Sequence, residues 1–526
     1  MVDHVVVAPM LVALATAIGT LLVRRFPRVT TAVSVAGVAG YAVAVAALVS
    51  RVLPDAVLTY QLSGWTAPFG ITLVADALSA FMLALSALVA VPALAYSVRY
   101  VDAFGQRISF HTLYHLMLVG VTGAFLTGDV FNLFVWFEVM LMASYVLVVF
   151  YGGAEHTRAA LRYAVLNLVG SAFMLVAVGG IYATTGTLNM ADIARRLGEP
   201  ARYGVDPAPV LGLSAILFAV FALKAGLVPF QFWVPAAYRA APAPVSAVLA
   251  GVVKKVGVYA IVRLYFTVFA AGSLGVPLAG PFEAPNDPGG FLGFFGPVLF
   301  VLAVASIVVG GVTAVGKDDL DELLAYSSIG QVGFIVLPLA VGAAVPAVRH
   351  LAIAATLVYA LNHAAAKGLL FLASGAIRDG TGTVDLRHLG GLIEGSPGVT
   401  AGFFVGALAL VGIPPLSGFF GKLLVFDVAA RAGADAALAA ALLGAVLTIA
   451  YVTRAWNRGF WGAQSNAVEH ARTEPVLVAI VAVLAVAVVA IGVGFDPVYR
   501  TAEAAADAAL ARGDYVEAVD LAEVKR

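Results

Sequence analysis

Runs of 18 or more apolar residues, separated by short polar connections, recur along almost the whole chain. A membrane-crossing helix needs about 20 predominantly apolar residues, so each run reads as a span. About fourteen are predicted, from 5–23 near the start to 474–495 near the end. Two are interrupted: 210–236 by Pro229 and Pro235, and 399–427 by Pro414 and Pro415. Proline removes a backbone donor and breaks a helix. Inside a bilayer such a break persists only where protein or water re-satisfies the freed groups. Pro229 and Pro414 lie 185 residues apart, about five runs. An odd number of spans between matching elements inverts their orientation, which predicts two inverted-topology repeats, each with a broken helix. The expected fold is all-α. Its parts are N-terminal helices over 1–109, a first repeat over 110–268, a second over 291–460, and a last span with a polar tail over 474–526.

Composition agrees. Of 526 residues, 62% are hydrophobic and 11% charged, against about 25% charged in soluble domains. Without cysteine the chain holds no disulfide and no thiolate-ligated iron–sulfur cluster, and no cofactor is expected. A net charge of +0 gives no reason to expect nucleic acid. The first apolar run follows Met1 to His4 without a basic region, so it reads as a retained helix. With the N-terminus outside, the inner loops carry fourteen Lys and Arg and the outer loops six. By the positive-inside rule the expectation is a multi-pass protein of the cell membrane with both termini outside. The amphipathic stretch 186–196 is expected to lie at the outer interface. Residues 275–290 read as an outer loop, and the tail 499–526 as a short surface helix or a frayed end.

Six basic residues fall inside spans: Lys224, Lys254, Lys255, Arg263, Lys367 and Lys422. Glu138 lies about eight residues inside an apolar run, where a charge costs about 2.5–3.5 kcal/mol even on the gentlest scale. Asp76 and Asp129, at the starts of runs, read as helix caps. His363 and Lys367 are four apart and share a helical face. Ser327, Ser328 and Gln331 either hold water beside that face or bond to neighbouring helices. Burial favours the neutral form of a lysine and a nearby carboxylate favours the charged one, so moving the partner loads or releases a proton. Glu138, Lys224, Lys255, His363, Lys367 and Lys422 therefore read as a proton relay. In it Glu138–Lys224 is the gating ion pair and Lys255 the link to the other three. Lys254 points about 100° away from Lys255 and is expected to pack against a neighbour or a partner subunit.

The stretch from Lys224 to Arg263 contains K-x4-P-F-x-x-W-x-P, then A-P-x-P-V-S-A, then K-x-G-x-Y-x-x-x-R. This resembles the antiporter-like subunits shared by respiratory complex I, membrane-bound hydrogenases and Mrp-type sodium/proton antiporters. T-G-D-V-F-N-L-F-V-W-F-E before and at Glu138, and N-H-A-A-A-K-G-L-L-F-L at His363, resemble the same family, over about residues 70–460. Complex I members usually carry histidines where this chain has Gln231 and Tyr238, a departure similar to the D subunits of Mrp antiporters. The extended lateral helix of the largest members has no counterpart here. The resemblance implies a membrane subunit of a multi-chain antiporter of sodium or another monovalent cation against protons, with the other membrane subunits, protons, sodium and the lipid bilayer as its partners. It aligns Lys255, not Lys254, with the family lysine. A proton-pumping subunit of a complex I-type or hydrogenase complex is the alternative, and a scaffold whose charges merely pin helices is a third reading. Sodium prefers several oxygen ligands, and the deep series offers mostly lysines. The sodium path is therefore expected in, or shared with, a partner subunit.

Overall fold

A computed structural model describes residues 4–53, 56–102, 105–106, 108–275, 289–519 and 521. Most of the loop expected at 275–290 lies outside the described residues. The chain is an all-α membrane protein. Eleven helices among the described residues are long and apolar enough to cross a bilayer, and three shorter ones, Ala8–Leu22, Phe110–Leu126 and Pro397–Val411, are apolar.

The N-terminal helices are α1 (Ala8–Leu22), α2 (Pro27–Val52) and α3 (Ala77–Tyr100). A short antiparallel pair, β1 (Leu58–Gln61) with β2 (Thr72–Ala75), precedes α3. The apolar run leading into α3 therefore starts as a strand. It becomes helix only at Asp76, whose carboxylate accepts from the Ser79 amide at 2.9 Å.

The first repeat comprises α4 (Phe110–Leu126), α5 (Val130–Val148), α6 (Gly153–Thr185), the short α7 (Met190–Gly198), the broken pair α8 (Pro207–Ala225) and α9 (Trp233–Ala240), and α10 (Ala243–Ala271). The second comprises α11 (Phe291–Val315), α12 (Leu320–Ala344), α13 (Arg349–Thr381), the broken pair α14 (Pro397–Val411) and α15 (Ser417–Arg431), and α16 (Asp435–Ala455). The correspondence extends to detail. α6 and α13 are both 33 residues long, and each ends in a Thr-Gly-Thr turn, at 185–187 and 381–383. Each turn leads to a bridge with the residue capping the preceding helix, Asn189 to Asp129 and Asp385 to Asp319. α5 and α12 open in the same way, with Asp129 accepting from Asn132 at 2.7 Å and Asp319 from Glu322 at 2.9 Å.

Both breaks begin at a glycine in the left-handed region, Gly226 (φ 70°) and Gly412 (φ 90°), a conformation that ends helices without a Cβ clash. These glycines are 186 apart, so Pro229 matches Pro415, one residue beyond the proline chosen from sequence. Side chains from other helices and from the second halves satisfy the freed backbone. Ser306 accepts from the Val228 amide at 2.9 Å, the Trp233 indole donates to the Leu223 carbonyl at 2.9 Å, and Asn362 donates to the Ala409 carbonyl at 3.3 Å.

α10, α12 and α13 are buried almost throughout. Small residues let them approach their neighbours: a Cβ on Gly310 of α11 would run into the Gly330 backbone of α12, the close packing that small residues permit in membranes. After the last span, α17 (Pro475–Val493), the described part of the tail is helical and packed. α18 (Phe495–Leu510) and α19 (Arg512–Ala518) form a surface helix pair. Its alanines 502, 505, 506 and 509 pack on α3 and α13.

Candidate functional site

The charged residues expected at mid-membrane converge on the three buried helices. Lys254, Lys255, His363 and Lys367 are all 0% exposed. α10 is wound more widely on both sides of the lysines, with π turns at Leu249–Val253 and Val262–Val268, a deviation frequent at functional positions. The Lys255 ammonium donates to the Ala250 carbonyl at 2.7 Å and meets His363 Nδ1 at 2.5 Å. Lys367, one turn along α13 from His363, reaches the Leu324 carbonyl at 2.9 Å and Ser327 Oγ at 2.5 Å. Lys255 thus meets His363 directly, while Lys367 stands one turn further along α13 and turns to α12; His363 Nε2 has no hydrogen-bond partner among the described residues.

Gln331, one turn from Ser327, joins helices. It donates to Thr448 and Tyr451, each at 3.0 Å, and accepts from Tyr359. Lys422 lies beyond, 5.2 Å from the Phe334 ring centroid, with its ammonium 3.0 Å from the Val411 carbonyl. Lys224 precedes its break in sequence whereas Lys422 follows its own, yet the structure cancels that difference. Lys224 stands in the last turn of α8, and Lys422 folds back to the last carbonyls of α14. Each cation sits at the negative end of a half-helix dipole.

The Glu138–Lys224 ion pair is not closed. Glu138 accepts a hydrogen bond from Ser171 of α6. The Lys224 ammonium is buried without a hydrogen-bond partner among the described residues, 5.5 Å from the Phe137 ring centroid. Phe137, the residue before Glu138, takes the place expected for the carboxylate.

Lys254 packs against neighbours within this chain: its ammonium reaches the Ser328 carbonyl at 3.4 Å and lies against Gly226, where an added Cβ would stand 3.3 Å from Nζ. Lys254 thus touches the first break and Lys255 touches His363. The two adjacent lysines join the repeats from opposite sides of one helix.

Other buried polar groups carry weaker sequence signals. Asp76, read as a cap, also binds Arg263 with both oxygens at 2.6 Å, and the Tyr515 ring of α19 lies 4.9 Å from that guanidinium. His111 and His115 are buried one turn apart on α4, and His115 Nε2 meets Ser34 at 2.9 Å. Their spacing of four was visible in the sequence. Asp321, near a helix start, pairs with Arg378, near the end of the next helix.

Salt bridges gather the loops onto one arginine-rich face. Arg239 approaches Glu155 at 3.6 Å, Asp319 at 3.7 Å and Glu322 at 3.1 Å. Lys317 meets Glu322 at 2.8 Å, and Arg454 and Arg458 both meet Asp318 at 2.6 Å. Among the described residues no group of three or more His, Asp or Glu is placed to hold a metal ion.

The sequence pattern described as "NADH:quinone oxidoreductase/Mrp antiporter, TM" matches residues 127–277 and 290–448, more than half of the chain. The D subunit of the Na(+)/H(+) antiporter of Alkalihalophilus pseudofirmus is 36% identical over 490 residues, covering 92% of this chain and 93% of that protein. The N subunit of the NADH-quinone oxidoreductase of Desulforudis audaxviator is 36% identical over 455 residues, covering 86% and 84%. Among solved structures, a chain of the Mrp complex from Dietzia superposes with a TM-score of 0.85 at 27% identity, covering 98% of this chain and 99% of that one.

Proposed function

The chain belongs to the transmembrane family that NADH:quinone oxidoreductases share with Mrp antiporters, and from that premise we propose that it is the D subunit of a multi-subunit sodium/proton antiporter. It works as a transporter subunit in the cell membrane with both termini outside, not as an enzyme. Other membrane subunits complete the complex. The relatives that are D subunits of antiporters support this reading over the redox-coupled one, because one of them matches over 93% of its own length.

The observation that carries the mechanism is the direct contact of Lys255 with His363 at 2.5 Å. Lys254 and Lys367 are buried with that pair, and among the described residues no carboxylate forms an ion pair with any of the four. Neighbouring like charges in a low dielectric exclude one another, so a proton arriving at one base expels the proton held by the next. The line from Lys224 and Lys254 at the first break, through Lys255, His363 and Lys367, to Lys422 at the second break is then a relay. Its switch is Glu138, which alternates between Ser171 and Lys224. Approach of the carboxylate to Lys224 loads that lysine, and withdrawal to Ser171 releases the proton into the series.

Sodium passes through a companion subunit or along the interface with one, since the relay presents cations where sodium needs oxygen ligands. The test is sodium/proton exchange in vesicles carrying the complete complex, and in vesicles from which single companion subunits have been deleted. Exchange that tracks the presence of both this chain and its companions supports the reading. A requirement for a quinone or hydrogenase partner instead would assign the chain to a redox complex.

A further inference from the structure

The relay needs a route to water, and α12 and α13 share a polar seam that leads to one. On α13, His363, Lys367, Ser374 and Arg378 follow at intervals of four, seven and four, which keeps them on one helical face. On α12, Asp321, Leu324 and Ser327 follow at intervals of three. Where the two faces meet, Ser374 Oγ donates to Asp321 at 2.5 Å and Arg378 pairs with the same carboxylate. Further in, Lys367 meets Ser327 and the Leu324 carbonyl. Beside this seam stands Tyr96 of α3, buried with its hydroxyl unpartnered among the described residues. That hydroxyl lies beside Gly375, where an added Cβ would be 2.9 Å away. Asp321 and Ser374 are buried, whereas about a third of the Arg378 side chain is exposed on the arginine-rich face.

The first repeat shows that the fold does not require this seam. Residues 190 earlier on α5 and 196 earlier on α6 occupy the matching positions. Ser328 corresponds to Glu138 and Lys367 to Ser171, but Lys367 bonds Ser327, the counterpart of Phe137, so the Glu138–Ser171 contact of the first repeat is not repeated in the second. At the matching mouth, however, Asp321 corresponds to Phe131, Ser374 to Val178 and Arg378 to Tyr182. Phe131 and Tyr182 are exposed aromatics. A polar mouth was built in one repeat and omitted from the other.

We propose that the α12–α13 seam is the proton's route between the arginine-rich face and the Lys255–His363 contact, with Asp321 taking up the proton at the mouth and Arg378 closing it. This rests on the relay reading and adds its entrance. A hydronium ion at the mouth gives its proton to Asp321 and leaves as water; the carboxyl loses its charge and lets Arg378 swing to solvent. The proton passes along the Ser374, Tyr96 and Ser327 hydroxyls to the neutral amine of Lys367, and Arg378 closes again on the restored carboxylate. The charged and titratable groups facing Asp321 are Arg378 of α13, Tyr100 of α3 and Asp319 at the cap of α12, with Arg239 of α9 beyond Asp319. Asp319, just outside the span, has its carboxyl pushed up by burial, which suits a second proton-accepting group at the same mouth.

The test uses the complete complex in vesicles, with pH varied on one side at a time. Asp321→Asn should lower exchange at neutral pH by about tenfold or more, the scale on which a positioned proton-transfer group acts. Asp321→Glu should restore most of it, which a purely structural ion pair would not predict for the longer side chain. Parental exchange from Asp321→Asn would overturn the proposal. Should that variant fail to assemble, the absence of cysteine from the chain offers a second measurement. Ser374→Cys should react with a small membrane-impermeant thiol reagent applied to the arginine-rich face, and Ala376→Cys, on the far side of the same helix, should not. No labelling of Ser374→Cys from that face would equally overturn the route. Labelling does not depend on relay chemistry, so a normal Lys224→Ala variant would remove the relay and leave the seam's accessibility standing.

Discussion

Replacing Lys255 by methionine is the sharpest test of the contact at the centre of the molecule. Methionine keeps an unbranched chain of similar reach and fills the same space, so the variant removes the ammonium and little else. The native contact places Lys255 Nζ 2.5 Å from His363 Nδ1. With the effective dielectric of about 20 that suits protein sites, two positive charges at that separation repel by about 7 kcal/mol, or about 10⁵-fold against double protonation. The pair therefore holds a single proton, and that proton is the one handed on. In Lys255→Met the nearest donors to His363 are Lys254, directed to the first break, and Lys367, bound to Ser327. The chain of contacts is cut. Exchange, read as dissipation of a pH gradient on adding sodium to vesicles, should fall by about a hundredfold or more, within the range measured for lost proton-transfer groups. Assembly, read by co-purification of the companion subunits, should be retained. Lys254→Ala should be milder, because its one polar contact is long, at 3.4 Å. An assembled Lys255→Met complex exchanging within about threefold of the parent would refute the shared-proton reasoning. The reverse order of the two lysines would move the relay to the other side of α10.

Lys224→Ala and Glu138→Ala should each abolish proton-coupled exchange in complexes that still assemble, measured in the same vesicles; near-normal exchange from either would exclude it from the switch. Asp76→Ala leaves the buried Arg263 without its carboxylate and should destabilise the subunit by about 3–5 kcal/mol, measurable as loss of thermal stability in detergent, whereas a parental melting temperature would show that Tyr259 and Tyr515 suffice. This subunit purified alone should show no specific sodium binding at low millimolar concentration by calorimetry. Binding that disappears on changing Glu138 would place the cation site within this chain.

The paired breaks and the burial of Lys224, Lys255, His363, Lys367 and Lys422 were legible because each is a local violation of an apolar run. A proline or a lysine at mid-membrane is conspicuous by itself. Partnership was less legible. Phe137 lies where the carboxylate was expected because the rotation of α5 against α8 sets which of two adjacent residues faces Lys224, and hydropathy is blind to rotation in a helix apolar on all sides. The offset of Lys254 from Lys255, about 100°, is visible in the sequence, but which neighbour it meets is not, because α10 is surrounded by protein on every side. Asp76 and Arg263 are 187 residues apart, and Asp321 and Arg378 are 57 apart. Their meeting is a property of packing. The two Thr-Gly-Thr turns also mark the repeat in the sequence, at an offset of 196 where the breaks are offset by 186, so each element carries its own register.

The burial of α13 also bears on how the chain enters the membrane. Of the eleven long spans among the described residues, the one from Pro346 to Thr381 is the least apolar. It carries His350, Asn362, His363, Lys367 and Arg378. At the insertion machinery a lysine near the helix centre costs about 2.5–3.5 kcal/mol, and each leucine or isoleucine returns only about half a kcal/mol. Such a segment is a poor passenger by itself. Its polar partners, Lys255 on α10 and Ser327 and Asp321 on α12, lie earlier in the chain and emerge from the ribosome first. Insertion of α13 is thus a tertiary event, completed when a half-built bundle offers hydrogen bonds that lipid cannot. Errors in synthesis that displace α10 or α12 should leave α13 stranded in water, where quality control can see it.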